Sequence, residues 1–441
     1  MNVSVIGTGY VGLTTGTCLA EVGNNVICVD IDYTKIDKLN QGVCPIYEPG
    51  LTELISRNMY LKRLLFTTDI RYGIDNSDIV FCAVGTPPDE DYKVDLKFIR
   101  QVAISFGRHI DDYKVFVLKS TVPVGTADMC KEIIQKELDK REKDIKFDVV
   151  TNPEFLKQGA AVKDTMTPDR IIVGVESDRA KEMMENLYKP FVRTGKPIIF
   201  TDIKTPEIIK YAANSFLATK ISFINEIANF CELCGGNVKE VAKGIGLDDR
   251  IGSRFLHAGI GYGGSCLKKD TQALIQKGKE FGYDFKILNA TEQANEFQKD
   301  LLFMKLMNNF NGNIKGKTVA LWGVSFKPKT DDTRDAPSIN LVNLLRKHDV
   351  TVHLFDPVAA HGFKERFFKN DDKVIVKDTC YEAAEGADAI MLVTEWDEFR
   401  GVDLKNVKER MKGKLLLDGR NVFLPEEVKE FGFDYSGIGL G

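Results

Sequence analysis

Apolar residues along the chain come in short runs separated by helical stretches, and the first of them build a strand–turn–helix–strand unit. Residues 3–6 are a brief apolar strand, 7–12 a glycine-punctuated turn, 13–22 a helix and 26–29 a second buried strand. Further apolar runs fall at 79–84, 115–118, 149–150, 171–175 and 198–200, with helical stretches between most of them. That alternation predicts a mostly parallel, doubly wound sheet.

From 206 to about 234 the pattern changes to one long helix, PEIIKYAANSFLATKISFINEIANFCELC, whose apolar positions cover far more than one stripe. Such a helix must be buried on several sides. Two readings stand: a domain-bridging element that packs against a second subunit in a homodimer, or a helix inside one large core. Around Gly316 the βαβ pattern restarts, with a strand at 318–323, a helix at 338–348, a strand at 350–355 and apolar runs at 389–394 and 415–418. The expected fold class is α/β, two Rossmann-like doubly wound domains joined by a long central helix. The boundaries fall at 1–200 for the first Rossmann-like domain, 201–305 for a central helical dimerisation domain and 306–441 for the second Rossmann-like domain. The charged run at 136–146 reads as a solvated helix end without chemistry.

At 441 residues the chain exceeds one compact core. A formal net charge of −4 speaks against a nucleic-acid partner, and no apolar run nears the ~18 residues of a membrane span. The first residues lack the basic region of a signal peptide, so nine cysteines read as reduced thiols in a cytoplasmic compartment. His109, His257, His348, His353 and His361 offer no zinc spacing. Cys231-x-x-Cys234 has no second ligand pair and lies on apolar helix, so it reads as packing, and no metal is expected.

Gly7-Thr8-Gly9-Tyr10-Val11-Gly12 follows a strand, opens a helix and is answered by Asp30 at the end of the second strand. The glycines admit a pyrophosphate to the helix N-terminus, and Asp30 suits a ribose 2′-hydroxyl while repelling a 2′-phosphate, which favours NAD over NADP. Gly85-Thr86-Pro87-Pro88, Ser120-Thr121-Val122-Pro123 and Asn152-Pro153-Glu154-Phe155 each follow a strand, where open α/β sheets bind ligands. Thr121 and Glu154 thereby bring a hydroxyl and a carboxylate towards the nicotinamide end. Lys210 and Asn214, spaced i, i+4 on the long helix, either pair structurally or stabilise negative charge on a substrate oxygen.

In Gly261-Tyr262-Gly263-Gly264-Ser265-Cys266-Leu267-Lys268-Lys269-Asp270, glycines lead into a helix expected from about Ser265. Cys266 would then lie in the first helical turn, where free N–H groups depress a thiol pKa and make it a nucleophile. Asp270, one turn on, opposes that depression, so a cation such as Lys210 is expected nearby.

These pieces resemble the UDP-glucose/GDP-mannose dehydrogenase family over essentially the whole length, and within it the bacterial members acting on UDP-glucose. The likeness rests on GTGYVG, VDID with Lys35, VGTPP, STVPVGT, NPEFL, the KYAAN helix, DDRIGSRFL, GYGGSCLKKD, GVSFKPKTDDTRDAPS and LLLDGRNVF. It implies NAD-dependent oxidation of the UDP-glucose C6 alcohol to the carboxylate of UDP-glucuronate, through a thiohemiacetal and a thioester on Cys266. GDP-mannose or a UDP-N-acetyl-hexosamine is the alternative substrate under the same mechanism.

By position, Cys266 matches the family nucleophile, Lys210 and Asn214 the holders of the C6 oxygen, and Asp270 the carboxylate assisting proton transfer. Thr121 and Glu154 match groups that place or activate water. The implied cofactor contacts are Gly7, Gly9, Tyr10, Val11, Gly12, Asp30, Lys35, Thr86, Thr121, Gln158, Lys269 and Arg334. Those implied for the nucleotide sugar are Glu154, Phe155, Leu156, Lys157, Lys210, Asn214, Phe255, Leu256, His257, Ala258, Gly259, Gly263, Phe326, Lys327 and Arg420, with Arg250 reaching the neighbouring subunit's substrate. The resemblance also makes the C-terminal domain the UDP-sugar-binding one. One position departs from the family: Gln158 stands where N-P-E-F-L-x-E-G has its second glutamate, and an amide cannot act as a base.

Overall fold

The computed structural model describes residues 1–89, 92–193 and 195–440. The chain divides into two compact units, Met1–Ala213 with Gln272–Gly282, and Asn214–Thr271 with Tyr283–Gly441.

The first unit is built on eight strands: β1 (Asn2–Ile6), β2 (Asn25–Val29), β3 (Leu64–Thr67), β4 (Ile79–Cys82), β5 (Lys114–Leu118), β6 (Phe147–Thr151), β7 (Ile171–Gly174) and β8 (Ile198–Thr201). Their order is β3-β2-β1-β4-β5-β6-β7-β8. The first six are parallel in the 3-2-1-4-5-6 order of a dinucleotide-binding sheet. Both faces are covered, which is why the strands read as continuous apolar runs. Val3, Val5, Phe81, Val115 and Val117 pack into one cluster, while Ile6, Val80, Cys82, Phe116 and Leu118 enter another. The join between β6 and β7 is different: it is antiparallel and rests on the single pair Thr151↔Gly174. A Cβ on Gly174 would stand 2.2 Å from the Thr151 hydroxyl. Beyond that seam β7 and β8 are parallel over four pairs.

The second unit repeats the plan with β9 (Thr318–Trp322), β10 (Thr351–Phe355), β11 (Val374–Val376), β12 (Ala389–Leu392), β13 (Leu415–Asp418) and β14 (Asp434–Ser436). The order β11-β10-β9-β12-β13-β14 is again 3-2-1-4-5-6, all parallel. The expected pair of doubly wound sheets is therefore present. Strands β3, β11 and β14, of three or four residues, fall outside the apolar runs read from the sequence.

The long helix runs Thr205–Cys234. Ile224, Ala228 and Cys231 lie in the core of the second unit, but Phe216, Phe223, Phe230 and Leu233 are 66%, 50%, 62% and 86% exposed. Burial on several sides thus fails on one flank within the single chain. The packing expectation for the cysteine pair likewise holds for Cys231 alone, since Cys234 is exposed. The charged run at 136–146 does close a helix, Thr126–Lys140, though Glu137 within it is buried and bound by Arg108 and Lys140. Among the described residues, no helix is long and apolar enough to cross a membrane, and no group of three or more His, Cys, Asp or Glu could hold a metal ion.

Candidate active site

In the first unit, Gly7 takes φ +100°, and its N–H binds the Val29 carbonyl at 2.7 Å, which fixes the turn leaving β1. A Cβ on Gly12 would fall 1.9 Å from the Gly7 carbonyl oxygen, so both glycines are required by close approach. Gly9 caps the helix Tyr10–Glu21 with no side chain of its own, and open space faces its Cα. Uncapped N–H groups beside open space suit a pyrophosphate. The carboxylate of Asp30 accepts from the Thr8 N–H at 2.8 Å and the Thr8 hydroxyl at 2.7 Å, and pairs with Lys35 at 3.0 Å. Burial works to raise its pKa, but the Asp32 and Thr8 donors and Lys35 outweigh it and hold the group below its usual range. An ionised acceptor at this point fits a ribose diol, so the residues present fit NAD. Tyr10 accepts from the Gly159 N–H through its phenol at 3.0 Å. Glu48 takes the same N–H at 2.7 Å and that of Ala161 at 2.7 Å, which fastens the segment containing Gln158.

Elsewhere in the unit, the carboxyl ends of β5 and β6 bring Lys119, Thr121 and Glu154 together with Lys210 from the long helix. Lys210 Nζ lies 3.3 Å from Glu154 Oε1, with side chains only 4% and 7% exposed, and 5.2 Å from the centre of the Phe155 ring. The structure thus pairs Lys210 with a carboxylate 56 residues away. Burial alone would raise the Glu154 pKa; the Lys210 ammonium, the Leu156 N–H at 2.5 Å and Lys119 more than compensate, and the carboxyl sits below its ordinary range. Thr121 is buried, its carbonyl accepting from the Thr86 hydroxyl at 3.2 Å. Lys157 is exposed and paired with Asp164 at 3.2 Å.

In the second unit the glycine-led segment turns against residues 326–336. The Gly264 N–H binds the Arg334 carbonyl at 2.9 Å, and a Cβ on Gly263 would lie 2.4 Å from the Asp335 carbonyl oxygen. Gly264 has φ +84°, and a Cβ there would meet the Phe326 ring at 2.8 Å. This left-handed turn delays the helix, which begins at Leu267 rather than near Ser265. Cys266 is therefore the N-cap: its carbonyl accepts the first helical bond, from the Asp270 N–H at 2.9 Å, and the residue is exposed. An N-cap residue still borders the free first-turn N–H groups, which favour a thiolate. Asp270 is buried and accepts from Asn214 Nδ2 at 2.6 Å, with Lys269 Nζ at 3.7 Å.

Arg334 is a cation of this unit whose charge couples to the thiol. It is held bidentately by Asp332 at 2.8 and 2.7 Å, and those bonds first, then the charges of Asp332, Cys266 and Asp335, keep its guanidinium above its usual pKa range. Sequence reasoning had placed Arg334 only among the cofactor contacts.

Among residues expected at the nucleotide sugar, Leu256 and Gly259 are buried, Phe255 has φ +65°, and His257 is exposed. Two buried amides grip Gly259: Asn225 Oδ1 accepts its N–H at 2.8 Å and Gln298 Nε2 donates to its carbonyl at 2.6 Å. A Cβ on Gly259 would be 2.8 Å from Arg420 Nη1. Arg420 in turn donates to the Val393 carbonyl at 2.9 Å and the Gly261 carbonyl at 3.4 Å, which brings Gly259, Gly261 and Arg420 together. Lys327 and Phe326 are half-buried, the ammonium 5.6 Å from the ring centre. Arg250 is not brought to them; its side chain is 89% exposed and binds Asp248.

Sequence reasoning missed Lys119, Asn225 and Gln298. Their only signal was a polar side chain beside an apolar run, which is common on solvated faces.

A glycine turn opening onto an uncapped helix, an ionised acid at the end of β2 and the 3-2-1-4-5-6 sheet define an NAD-binding dehydrogenase. Residues 1–192 match the UDP-glucose/GDP-mannose dehydrogenase family, NAD binding domain; residues 204–297 match its central domain and 320–425 its UDP binding domain. The chain is 46% identical over 441 residues to a UDP-glucose 6-dehydrogenase of Pseudomonas aeruginosa, covering 100% of this chain and 97% of the relative. It is 46% identical over 437 residues to one of Bacillus subtilis, covering 99% and 93%. The solved structure of a UDP-glucose dehydrogenase from Pyrobaculum islandicum superposes with a TM-score of 0.90 at 32% identity, covering 100% of this chain and 98% of that one. The chain belongs to the UDP-glucose/GDP-mannose dehydrogenase family.

Proposed function

We propose that the chain oxidises the C6 hydroxymethyl group of UDP-glucose to a carboxylate in two NAD-linked steps, through a thioester on Cys266, and acts as a cytoplasmic homodimer. The observation that carries the reading is Cys266: an accessible thiol at a helix N-cap, with Asp270 one turn on and Arg334 as its cation. A simple alcohol dehydrogenase has no use for such a thiol.

NAD, when bound, takes up one hydride from C6 in each oxidation. In the first, Lys210 and Asn214 donate to the C6 oxygen and stabilise the charge that develops as its proton leaves, and Asp270 relays that proton. The Cys266 thiolate then adds to the aldehyde carbon, and the C6 oxygen takes a proton to give the thiohemiacetal. Loss of the second hydride and of the hydroxyl proton leaves the thioester. Water held by Thr121 gives a proton to Glu154 and attacks the acyl carbon; the C–S bond breaks and the thiolate departs. Gln158 cannot serve as that base, so the step falls to Glu154. Asp30 and the amides of the Gly9–Gly12 turn hold the dinucleotide, and the Gly259–Gly261 segment with Arg420 holds the nucleotide sugar.

The dimer is supported by Phe216, Phe223 and Phe230, which recur every seven residues along the exposed flank of the long helix. A row of apolar rings on a helix marks a surface that another protein covers. Thiol cysteines throughout support a reducing compartment.

The test is an assay of the purified protein with UDP-glucose, GDP-mannose and a UDP-N-acetyl-hexosamine, counting NADH and identifying the product. Two NADH per UDP-glucose, with UDP-glucuronate formed, is the expected result; one NADH identifies an alcohol dehydrogenase and none a binding protein. Cys266→Ser should abolish acid formation, and unimpaired glucuronate production by that variant would sink the thioester.

A further inference from the structure

We propose that Lys119 is a positioning residue for thioester hydrolysis: its buried ammonium locks the segment that carries Glu154. The inference rests on the reading of Glu154 as the base that activates water.

Lys119 directly follows β5, and Asn152 directly follows β6, on neighbouring strands paired at Leu118↔Thr151. The Lys119 side chain is buried, and its ammonium donates to Asn152 Oδ1 at 3.0 Å. Asn152 is then held from every side. Its Oδ1 also accepts the Tyr188 hydroxyl, its Nδ2 donates to the Ile172 carbonyl at 2.7 Å, and its backbone N–H binds the Leu118 carbonyl at 2.9 Å. Pro153 follows with a fixed φ, and Glu154 comes next. Lys119 also stands two residues before Thr121. One lysine thereby sets the spacing between the hydroxyl and the carboxylate that share the attacking water.

The charge matters as much as the geometry. A buried ammonium is costly unless its charge is used. Here its direct bond goes to a neutral amide, which leaves the charge to act on Glu154 at longer range. In the mechanism above Lys210 has two tasks: it pairs with Glu154, and it stabilises the C6 oxygen. While Lys210 serves the substrate oxygen, burial would push Glu154 towards its neutral form, which cannot accept a proton from water. Lys119 keeps it ionised through that interval. Glu154 is held below its ordinary range in part by Lys119, and burial brings the Lys119 pKa down to about 8, opposed by Glu154 and reinforced by Lys210. Among the described residues, Glu154 and Lys210 act on its charge and the Tyr188 ring centre lies 5.9 Å from its ammonium.

The experiment compares Lys119→Met, Lys119→Arg and Glu154→Gln with the parent enzyme in single-turnover reactions. NADH release reports the oxidations, and intact-mass spectrometry reports the acyl-enzyme. Lys119→Met should slow hydrolysis by freeing the Asn152–Glu154 segment that its ammonium holds. It should accumulate the thioester and leave the NAD KM and the NADH burst unchanged. Lys119→Arg, which keeps a cationic donor to Asn152, should restore turnover and remove the adduct, a rescue that loss of packing alone would not show. A folded Lys119→Met enzyme with parental hydrolysis and no adduct overturns the inference. Should that variant not fold, a folded Lys119→Gln enzyme with parental hydrolysis and no adduct does the same. Parental product release by Glu154→Gln would refute the reading of the base itself. An adduct in Glu154→Gln without one in Lys119→Met refutes only the part given to Lys119.

Discussion

Glu207, in the first turn of the long helix, makes the stability of the first unit depend on pH in a direction opposite to that of most carboxylates. It is buried, and it caps the helix Thr126–Lys140 from outside, accepting from the Gly125 N–H at 2.8 Å and the Ala127 N–H at 3.1 Å. Burial outweighs those bonds and pushes its pKa from 4.5 up to about 7. Below pH 4.5 both folded and unfolded chains carry the proton, and nothing is lost. Between pH 4.5 and 7 the unfolded chain ionises while the folded one still holds its proton, so unfolding is favoured progressively, and above 7 the loss is complete. The 2.5-unit difference, at 1.36 kcal/mol per unit, amounts to about 3 kcal/mol of stability lost between roughly pH 4.5 and 7. Glu207→Gln removes that loss but leaves one of the two N–H groups without an acceptor, a penalty of about 1–2 kcal/mol. The variant should therefore melt a few degrees below the parent at pH 5 and a few degrees above it at pH 8. Calorimetric scans at the two pH values read the difference directly. If the variant is destabilised equally at both, the carboxylate is not strained by burial and the argument fails.

Other substitutions test the rest of the structure. Gly264→Ala places a side chain at φ +84° and 2.8 Å from the Phe326 ring; it should cost about 2–4 kcal/mol in urea unfolding and raise the nucleotide-sugar KM. Asp30→Ala removes an ionised acceptor, so the NAD KM should rise about tenfold while the NADP KM does not, narrowing the preference between them. Phe223→Glu, at the middle of the exposed aromatic row, should yield monomers in sedimentation velocity at concentrations where the parent is dimeric. A dimer that withstands that substitution would place the subunit contact elsewhere.

The features legible in the sequence are those that depend on local spacing. The Gly7–Gly12 turn, the i, i+4 pair Lys210 and Asn214, and Cys266 four residues before Asp270 each announce themselves within one helical turn or one strand. Partnerships across long loops do not. Lys119 meets Asn152 over 33 residues and Glu207 meets Gly125 over 82, and nothing near either residue marks it as buried. Within the second unit, Arg334 acts on Cys266 beside a left-handed turn at Gly264 that also shifts the helix start by two residues, and no local spacing announces it. Exposure of Phe216, Phe223 and Phe230 was equally hidden, because an apolar periodicity does not reveal which flank the chain covers itself.

The seam between β6 and β7 divides a sheet that is continuous in outline. Along β5 and β6 five residue pairs must part together, while one pair joins β6 to β7. Local opening follows such weak lines. In native-state hydrogen exchange, the β7–β8 amides should surrender their protons as one block, well before those of β1, β4 and β5. That block is the stretch of chain immediately preceding the helix that bears Lys210. Its loosening would reach the ammonium along the backbone itself, making the rim of the sheet, and not its centre, the place where accumulated mutations first erode turnover.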